Sequence, residues 1–487
     1  MSPFSKNAVK AILLAGSLLA SYSSMAQAPE FSDRVKGFID YDQSSILIQN
    51  ALLFDGTGAP RKANQDVFIQ NGKIAAVGDH GSLSTPQGVT ILDASGKTLL
   101  PGLVMLHEHM YYTSSTAEGF TITENPRTFP RLYLAGGVTT ARTGGSIEPF
   151  TDLSIRDAVK AGQMAGPDID ATAPYIEGKD SRIFQLARLD GIEAARKSVA
   201  YWADMGFTSF KAYMALSQDQ MKAAVDEAHK RGLKITGHIC ATTYKEAADV
   251  GIDNLEHGFW AATDYMADKP KGQCVGGSRG GMTNNSPTEG VGSDLIDYMV
   301  QNQVAITSTL PVISKGSSVF TGFPENWGSV ISDVDRARFD ERRARFDNNP
   351  QWIEGSDKTL QAAVNYEMEF IKRGGLLVAG SDTTGMGGTL PGLANLEQIH
   401  LMVWGGFSLE QAIKVVSLNG AIYLEQQDNI GSITVGKDAD LLLIDGDISA
   451  DIRNVYKSEI TFKHGIGYNS QRMIASSEKT VGGPGPN

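Results

Sequence analysis

The chain has 487 residues, 43 Lys+Arg against 55 Asp+Glu (formal net charge −12), and two cysteines. An apolar fraction of 41% with 20% charged residues excludes a disordered chain, and the acidic balance disfavours a broad basic face for nucleic acid. Two cysteines are too few for a disulfide scaffold or a Cys-only zinc finger.

The first stretch reads as a processing segment. Lys6 and Lys10 precede a short apolar run, Ala11–Ala20, and Ala26-Gln27-Ala28 has the small-x-small spacing of a cleavage site. The run is well short of the roughly 20 residues that span a bilayer. Residues 1–28 are therefore expected to be a signal peptide. The remaining chain, with no further span, is expected to be secreted or periplasmic. In such a compartment Cys240 and Cys274 could pair; two buried free thiols are the alternative.

Residues 45–100 are rich in strand formers, and Asn71-Gly72 between Asp66–Gln70 and Lys73–Val77 signals a hairpin. The same texture returns at Gly431–Asp445, read as strand, Gly-Lys-Asp turn, strand. A β segment near each end of a long chain predicts one small β domain built from both. The middle, roughly 100–424, holds eight candidate strands: Leu103–His109, Val138–Thr143, Ile169–Pro174, Ser209–Met214, Lys234–Ile239, Asn254–Gly258, Ala305–Leu310 and Leu376–Asp382. Helix-period stretches such as Ile192–Met205, Gln218–Arg231 and Leu360–Arg373 lie between or before them. This alternation predicts an α/β fold, a distorted (β/α)8 TIM barrel carrying a small β-sandwich domain. The domains are 29–99 and 425–487 for the sandwich and 100–424 for the barrel. A doubly wound open sheet is the rival, but no G-x-G-x-x-G follows a first strand. Two insertions, the Gly-rich Gly272–Gly292 and the Asp/Arg-dense Asp333–Gln351, follow barrel strands, where lids, passive loops or subunit contacts could form.

Polar residues gather at the ends of the candidate strands. His107 and His109 are i, i+2 in one strand and share a face; His238, His257 and Asp382 end three others, and Lys211 lies inside an otherwise apolar run. In a barrel these strand ends form the usual catalytic mouth. Unpaired polar groups converging on one lumen would be costly to bury, and divalent metal resolves the cost because imidazole and carboxylate are its ordinary ligands. An ammonium beside cations would be repelled, whereas a neutral Lys211 amine can add carbon dioxide. The resulting carbamate could bridge two metals about 3.5–4 Å apart.

These residues resemble the amidohydrolase superfamily, in particular the branch of imidazolonepropionase, bacterial Xaa-Pro dipeptidases and ochratoxin hydrolases. The likeness runs through Leu100-Pro-Gly-Leu-Val-Met-Leu-His-Glu-His, Gly137-Val-Thr-Thr, Phe210-Lys211, Gly237-His238, Asn254-Leu-Glu-His-Gly, Gly380-Ser-Asp382 and Gly431-Ser-Ile-Thr-Val-Gly-Lys-Asp-Ala-Asp-Leu. It implies that His107, His109 and Asp382 hold one metal, His238 and His257 the other, and carboxylated Lys211 both. It also implies a hydroxide nucleophile whose proton passes through Asp382 to the leaving nitrogen. The metals are expected to be zinc, with manganese or cobalt open. Tyr111, Tyr213 and Arg142 are candidate substrate contacts, Arg142 as a carboxylate clamp or, alternatively, as half of a buried ion pair. Glu108 should face away from the two histidines. The implied function is hydrolysis of a C–N amide bond in an N-acyl amino acid, dipeptide or other small molecule. Ester, lactone or cyclic-amide hydrolysis on the same metals is the alternative, and a non-catalytic scaffold the outlier. The expected partner is a small-molecule substrate, with a homo-oligomer open.

Overall fold

The computed structural model describes residues 30–116, 119–181, 183, 185–275, 280–385 and 388–482, so the expected signal segment lies outside the described residues. Eight short strands stand within or beside the eight apolar runs: β1 (Leu103–Glu108), β2 (Val138–Thr143), β3 (Asp168–Asp170), β4 (Ser209–Ala212), β5 (Lys234–Gly237), β6 (Asn254–Glu256), β7 (Ala305–Ser308) and β8 (Leu377–Ala379). They pair in parallel as two runs, β1–β2–β3 and β4 through β8. Both seams are bridged. Thr172 pairs with Ser209, whose carbonyl accepts from the Ala173 amide at 3.0 Å. On the other side the Asp382 amide donates to the His107 carbonyl at 3.0 Å. A Cβ at Gly380 would lie 2.3 Å from that of His107, so glycine is what lets the last strand approach the first there. The arrangement is a TIM-barrel-like α/β fold.

Helices Ile192–Asp204 and Gln218–Lys230 match their periodic segments, the second starting at a Ser217/Gln220 capping box. The helix before β8 is longer than its apolar period. It runs Pro350–Lys372, and its first turns carry few buried side chains, so no stripe marks them. Asp333–Asp347 forms a helix of its own, capped by Ser332.

Strands from both chain regions form one nine-stranded sheet, among them Ser45–Leu53, Lys62–Gln70, Lys73–Asp79, Leu441–Ile444 and Ser458–Lys463. Asn71 (φ 50°) and Gly72 (φ 78°) are both left-handed, as the two-residue hairpin turn requires. That turn touches the opposite end of the sheet. A Cβ on Gly72 would sit 2.8 Å from the His464 carbonyl, so the sheet curls around its own apolar side chains. One expectation fails. Gly431–Val435 is not a strand; its amides bond outward instead, as Ile433 N does to Asp55 O at 2.9 Å. Cys240 and Cys274 form a disulfide with Cα atoms 4.9 Å apart. It ties the Gly-rich insertion to the segment just after β5.

Candidate active site

The carboxyl ends of the strands bring the polar set together. His107 Nε2 and His109 Nε2 lie 3.4 Å and 3.0 Å from the same Asp382 Oδ1. His257 Nδ1 is 3.8 Å from Asp382 Oδ2, and His257 Nε2 is 3.0 Å from His238 Nδ1. Ligand atoms of His107, His257 and Asp382 all fall within 4.8 Å of one another. All but His238, which is half-buried, are nearly closed to solvent.

Local backbone explains how neighbouring residues reach one point. Period-2 alternation would send Glu256 and His257 to opposite faces. His257 is left-handed (φ 66°), and so is Asp382 (φ 43°), which breaks the alternation where the strands end. Such backbone costs about 1–2 kcal/mol for a residue with a Cβ, and strain of this kind clusters at functional sites. Glu108 does face away: it accepts from the Ser381 amide at 3.0 Å, the Ser381 hydroxyl, and Asn395 Nδ2 at 2.8 Å. Gly144 shapes the floor, since a Cβ there would lie 2.6 Å from the His107 ring and 3.0 Å from that of His109.

The residue that sequence reasoning passed over is Glu256. It is fully buried, and three of the site's groups converge on it: His107 Nδ1 at 2.6 Å, Arg142 Nη2 at 2.7 Å and Lys211 Nζ at 3.3 Å. Burial works against its charge, but Lys211, His107 and Arg142 outweigh that and hold the carboxyl well below its usual range. Its only sequence signal was its place in Asn-Leu-Glu-His-Gly. Arg142 is corrected with it. The guanidinium is fully buried, and its Nη1 and Nη2 donate to Thr236 Oγ1 (3.1 Å), the Leu106 carbonyl (2.5 Å) and Glu256, so it belongs to the buried ion pair and not to a substrate clamp. Thr309 is a second unforeseen partner, with Oγ1 2.8 Å from His257 Nδ1. That bond turns His257 Nε2 towards His238.

The electrostatics suit a cation site. Burial pushes His257 down to about 3, keeping it a neutral donor. Burial also lowers the Lys211 amine to about 8, Arg142 adding to the fall and Glu256 opposing it. Burial resists ionisation of Asp382, yet the surrounding imidazoles hold it well below the carboxylate range. His109 Nδ1 is buried with no hydrogen-bond partner. Two ring nitrogens 3.0 Å apart, His257 Nε2 and His238 Nδ1, need a shared proton or a cation beside both. Imidazoles with a carboxylate are a fitting donor set for divalent metal.

Above this set lies a cavity of about 390 Å³, walled by residues that include Tyr111, Tyr175, Tyr213 and Leu186. Tyr111 stacks on His109 with ring centroids 4.6 Å apart, and its hydroxyl shares a short hydrogen bond with that of Tyr175. Tyr213 packs edge-on to His238 at 5.3 Å. A larger cavity, about 750 Å³, lies between helix Leu393–Gly405 and the outer sheet. His400 and Tyr456 line it, and among the described residues the group that could hold a metal ion lies elsewhere, at His107, His257 and Asp382. His80, His229, His400 and His464 stand apart from the site, each bonded to a neighbour of its own: Asp66, Asp253, Tyr456 and Asp168.

The amidohydrolase family profile matches residues 337–465, the stretch that carries Asp382 and the C-terminal motif. This quarter of the chain is similar to the amidohydrolase family. The chain is 37% identical over 90 residues to an imidazolonepropionase of Geobacillus sp. (strain WCH70), covering 18% of this chain and 21% of that one. It is 30% identical over 125 residues to an N-acyl-D-aspartate deacylase of Alcaligenes xylosoxydans xylosoxydans, covering 26% and 22%. The chain thus spans less than half the length of the curated relatives it matches. A solved Xaa-Pro dipeptidase with methionine bound in its active site superposes at TM-score 0.63 and 20% identity, over 88% of this chain and all of the other. That likeness establishes the fold.

Proposed function

We propose that this chain is a metal-dependent hydrolase of a C–N amide bond in a small molecule. The observation that carries the reading is the convergence of His107, His257 and Asp382 ligand atoms within 4.8 Å, with His109, His238 and Lys211 around them. His107, His109 and Asp382 would hold one divalent ion and His238 and His257 a second, with Lys211 carboxylated between them. Zinc is the leading ion for so many imidazoles, with manganese and cobalt the alternatives. Such ions lower the pKa of water towards 7 and polarise the attacked carbonyl.

The chain's own residues supply the rest. Asp382 Oδ1 and Oδ2 stand among the imidazoles, placed to accept a proton and return it to the leaving nitrogen. Glu256 fixes the His107 tautomer: with Nδ1–H donated to the carboxylate, Nε2 keeps its lone pair for a ligand. Thr309 does the same for His257. With its pKa near 8, the Lys211 amine has a neutral fraction at physiological pH that can take up carbon dioxide. The Tyr111–Tyr175 wall limits water above the site and presents hydroxyls to a bound carbonyl.

The same reading takes the two strand runs as one distorted (β/α)8 barrel over 100–424 and the curled sheet as a sandwich of 29–99 and 425–487. It also places the protein outside the cytosol, since a disulfide between Cys240 and Cys274 suits an oxidising compartment. Among the described residues no helix is long and apolar enough to cross a membrane. Ester or lactone hydrolysis is the second reading, favoured by the largely apolar cavity wall. A panel of anilides, N-acyl amino acids, dipeptides, aryl esters and lactones, assayed with metal-loaded protein, separates the two. Amide cleavage supports the first reading, and ester or lactone cleavage alone replaces it.

A further inference from the structure

The wall of the 390 Å³ cavity is not built for a charged substrate. Tyr111, Tyr175 and Leu186 form one buried apolar cluster, with Ile122, Ile147 and Ile183 packed against it. Among the described lining residues the one ammonium or guanidinium is Lys211, and it faces Glu256 at 3.3 Å. The guanidinium of Arg142 is fully buried and bonded to Glu256, Leu106 and Thr236. Beyond the imidazoles, Lys211 and Asp382, the polar features of the described wall are hydroxyls: the Tyr111–Tyr175 pair, Tyr213, Thr384, and Thr113, whose buried Oγ1 has no partner. A carboxylate placed against this part of the wall, away from the imidazoles that would hold the metals, would lose its hydration and meet no ammonium or guanidinium among the described residues, a cost that burial does not return. An aryl or branched alkyl group would instead fill it by apolar contact, while a hydroxyl met a neutral carbonyl or ether oxygen. The volume is near the lower end of small-molecule sites, roughly 300–1,000 Å³, which fits one compact substrate.

We infer that the substrate is neutral and apolar on both sides of the scissile bond, an aryl or branched-alkyl amide without a free carboxylate, rather than an N-acyl amino acid or dipeptide. This rests on the hydrolase reading above for the bond that breaks, but the pocket's preference can be read separately as binding.

The test uses the full chain loaded with zinc and a matched pair of probes, benzanilide and its 4-carboxylate, which share the same amide. Benzanilide should be cleaved with kcat/KM at least about 100-fold higher, the price of an unpartnered carboxylate. Calorimetry on the same protein should give benzanilide a Kd at least about ten-fold lower. If neither probe is cleaved but that binding order holds, amide hydrolysis is refuted for this pair and the apolar pocket stands. Equal or tighter binding of the carboxylate, its preferred cleavage, or no binding of either overturns the inference. An Ile147→Arg variant, shown folded by circular dichroism, should narrow the gap at least about ten-fold by supplying the missing charge partner. An unchanged gap in that folded variant also overturns it.

Discussion

The curled outer sheet and the mouth of the barrel solve the burial problem in opposite ways. The sheet buries Ile46, Ile48, Val67, Ile69, Leu99, Leu441, Leu443 and Phe462 against one another. Its charges stay mostly at the rim, as in the Lys73–Asp438 and Lys97–Glu459 pairs. The barrel mouth buries His107, His109, Arg142, Lys211, Glu256, His257 and Asp382 in one connected group. A core of the first kind is stable because nothing in it needs a partner. A core of the second kind is stable only while every charge keeps its own, and replacing such a network with apolar residues is often neutral or stabilising. A protein that keeps it keeps it for chemistry.

The two regions should break differently under substitution. The largest effect is expected at Lys211→Ala, which should cut turnover on the order of a thousand-fold or more while leaving the fold intact, with partial rescue by added formate or acetate. Near-normal turnover in that variant would remove the bridging role. Glu256→Gln should lower stability by about 3–5 kcal/mol, because Arg142 is left buried without its anion, and should also reduce bound metal. If chemical denaturation shows a loss below about 1 kcal/mol, the central ion network does not hold the mouth together. Leu443→Ala in the sheet should cost a comparable 2–5 kcal/mol yet leave kcat of the folded fraction unchanged. A fall in kcat there would mean that the two cores are coupled.

Smaller effects sharpen the same contrast. Cys240→Ser opens a cross-link between residues 34 apart, worth about 2–4 kcal/mol of stability. A midpoint of thermal unfolding indifferent to that change would contradict the pairing. The last prediction concerns pH. Below a pKa of about 8 the Lys211 amine is protonated and cannot attack carbon dioxide, and above it the neutral form dominates. Reconstitution of metal-stripped protein with bicarbonate and zinc should therefore rise between pH 6 and 9 with a midpoint near 8. A flat profile would contradict the carbamate.

Much of this was legible in the chain, for identifiable reasons. The eight strand positions show because a barrel strand is a short apolar run between helical periods. The site's histidines, lysine and aspartate show because polar residues are conspicuous at the ends of such runs. Glu256 was hidden because alternation pointed it away from His257, and only the left-handed backbone at His257 brings both in. Arg142 showed as a charge in a strand, but its partners lie 36 to 114 residues away and no local pattern ties it to them. The disulfide was undecidable from a separation of 34 residues alone. Gly431–Val435 has strand-like composition but is held by scattered bonds to Asp55 and to neighbouring turns, which composition does not encode.

The central claim is that these buried groups exist to hold paired cations. Elemental analysis of the purified chain, run beside activity during dialysis against a chelator, tests it most directly. The account predicts about two divalent ions per chain, lost together with activity and restored together on adding zinc. A metal-free chain with full activity would contradict it.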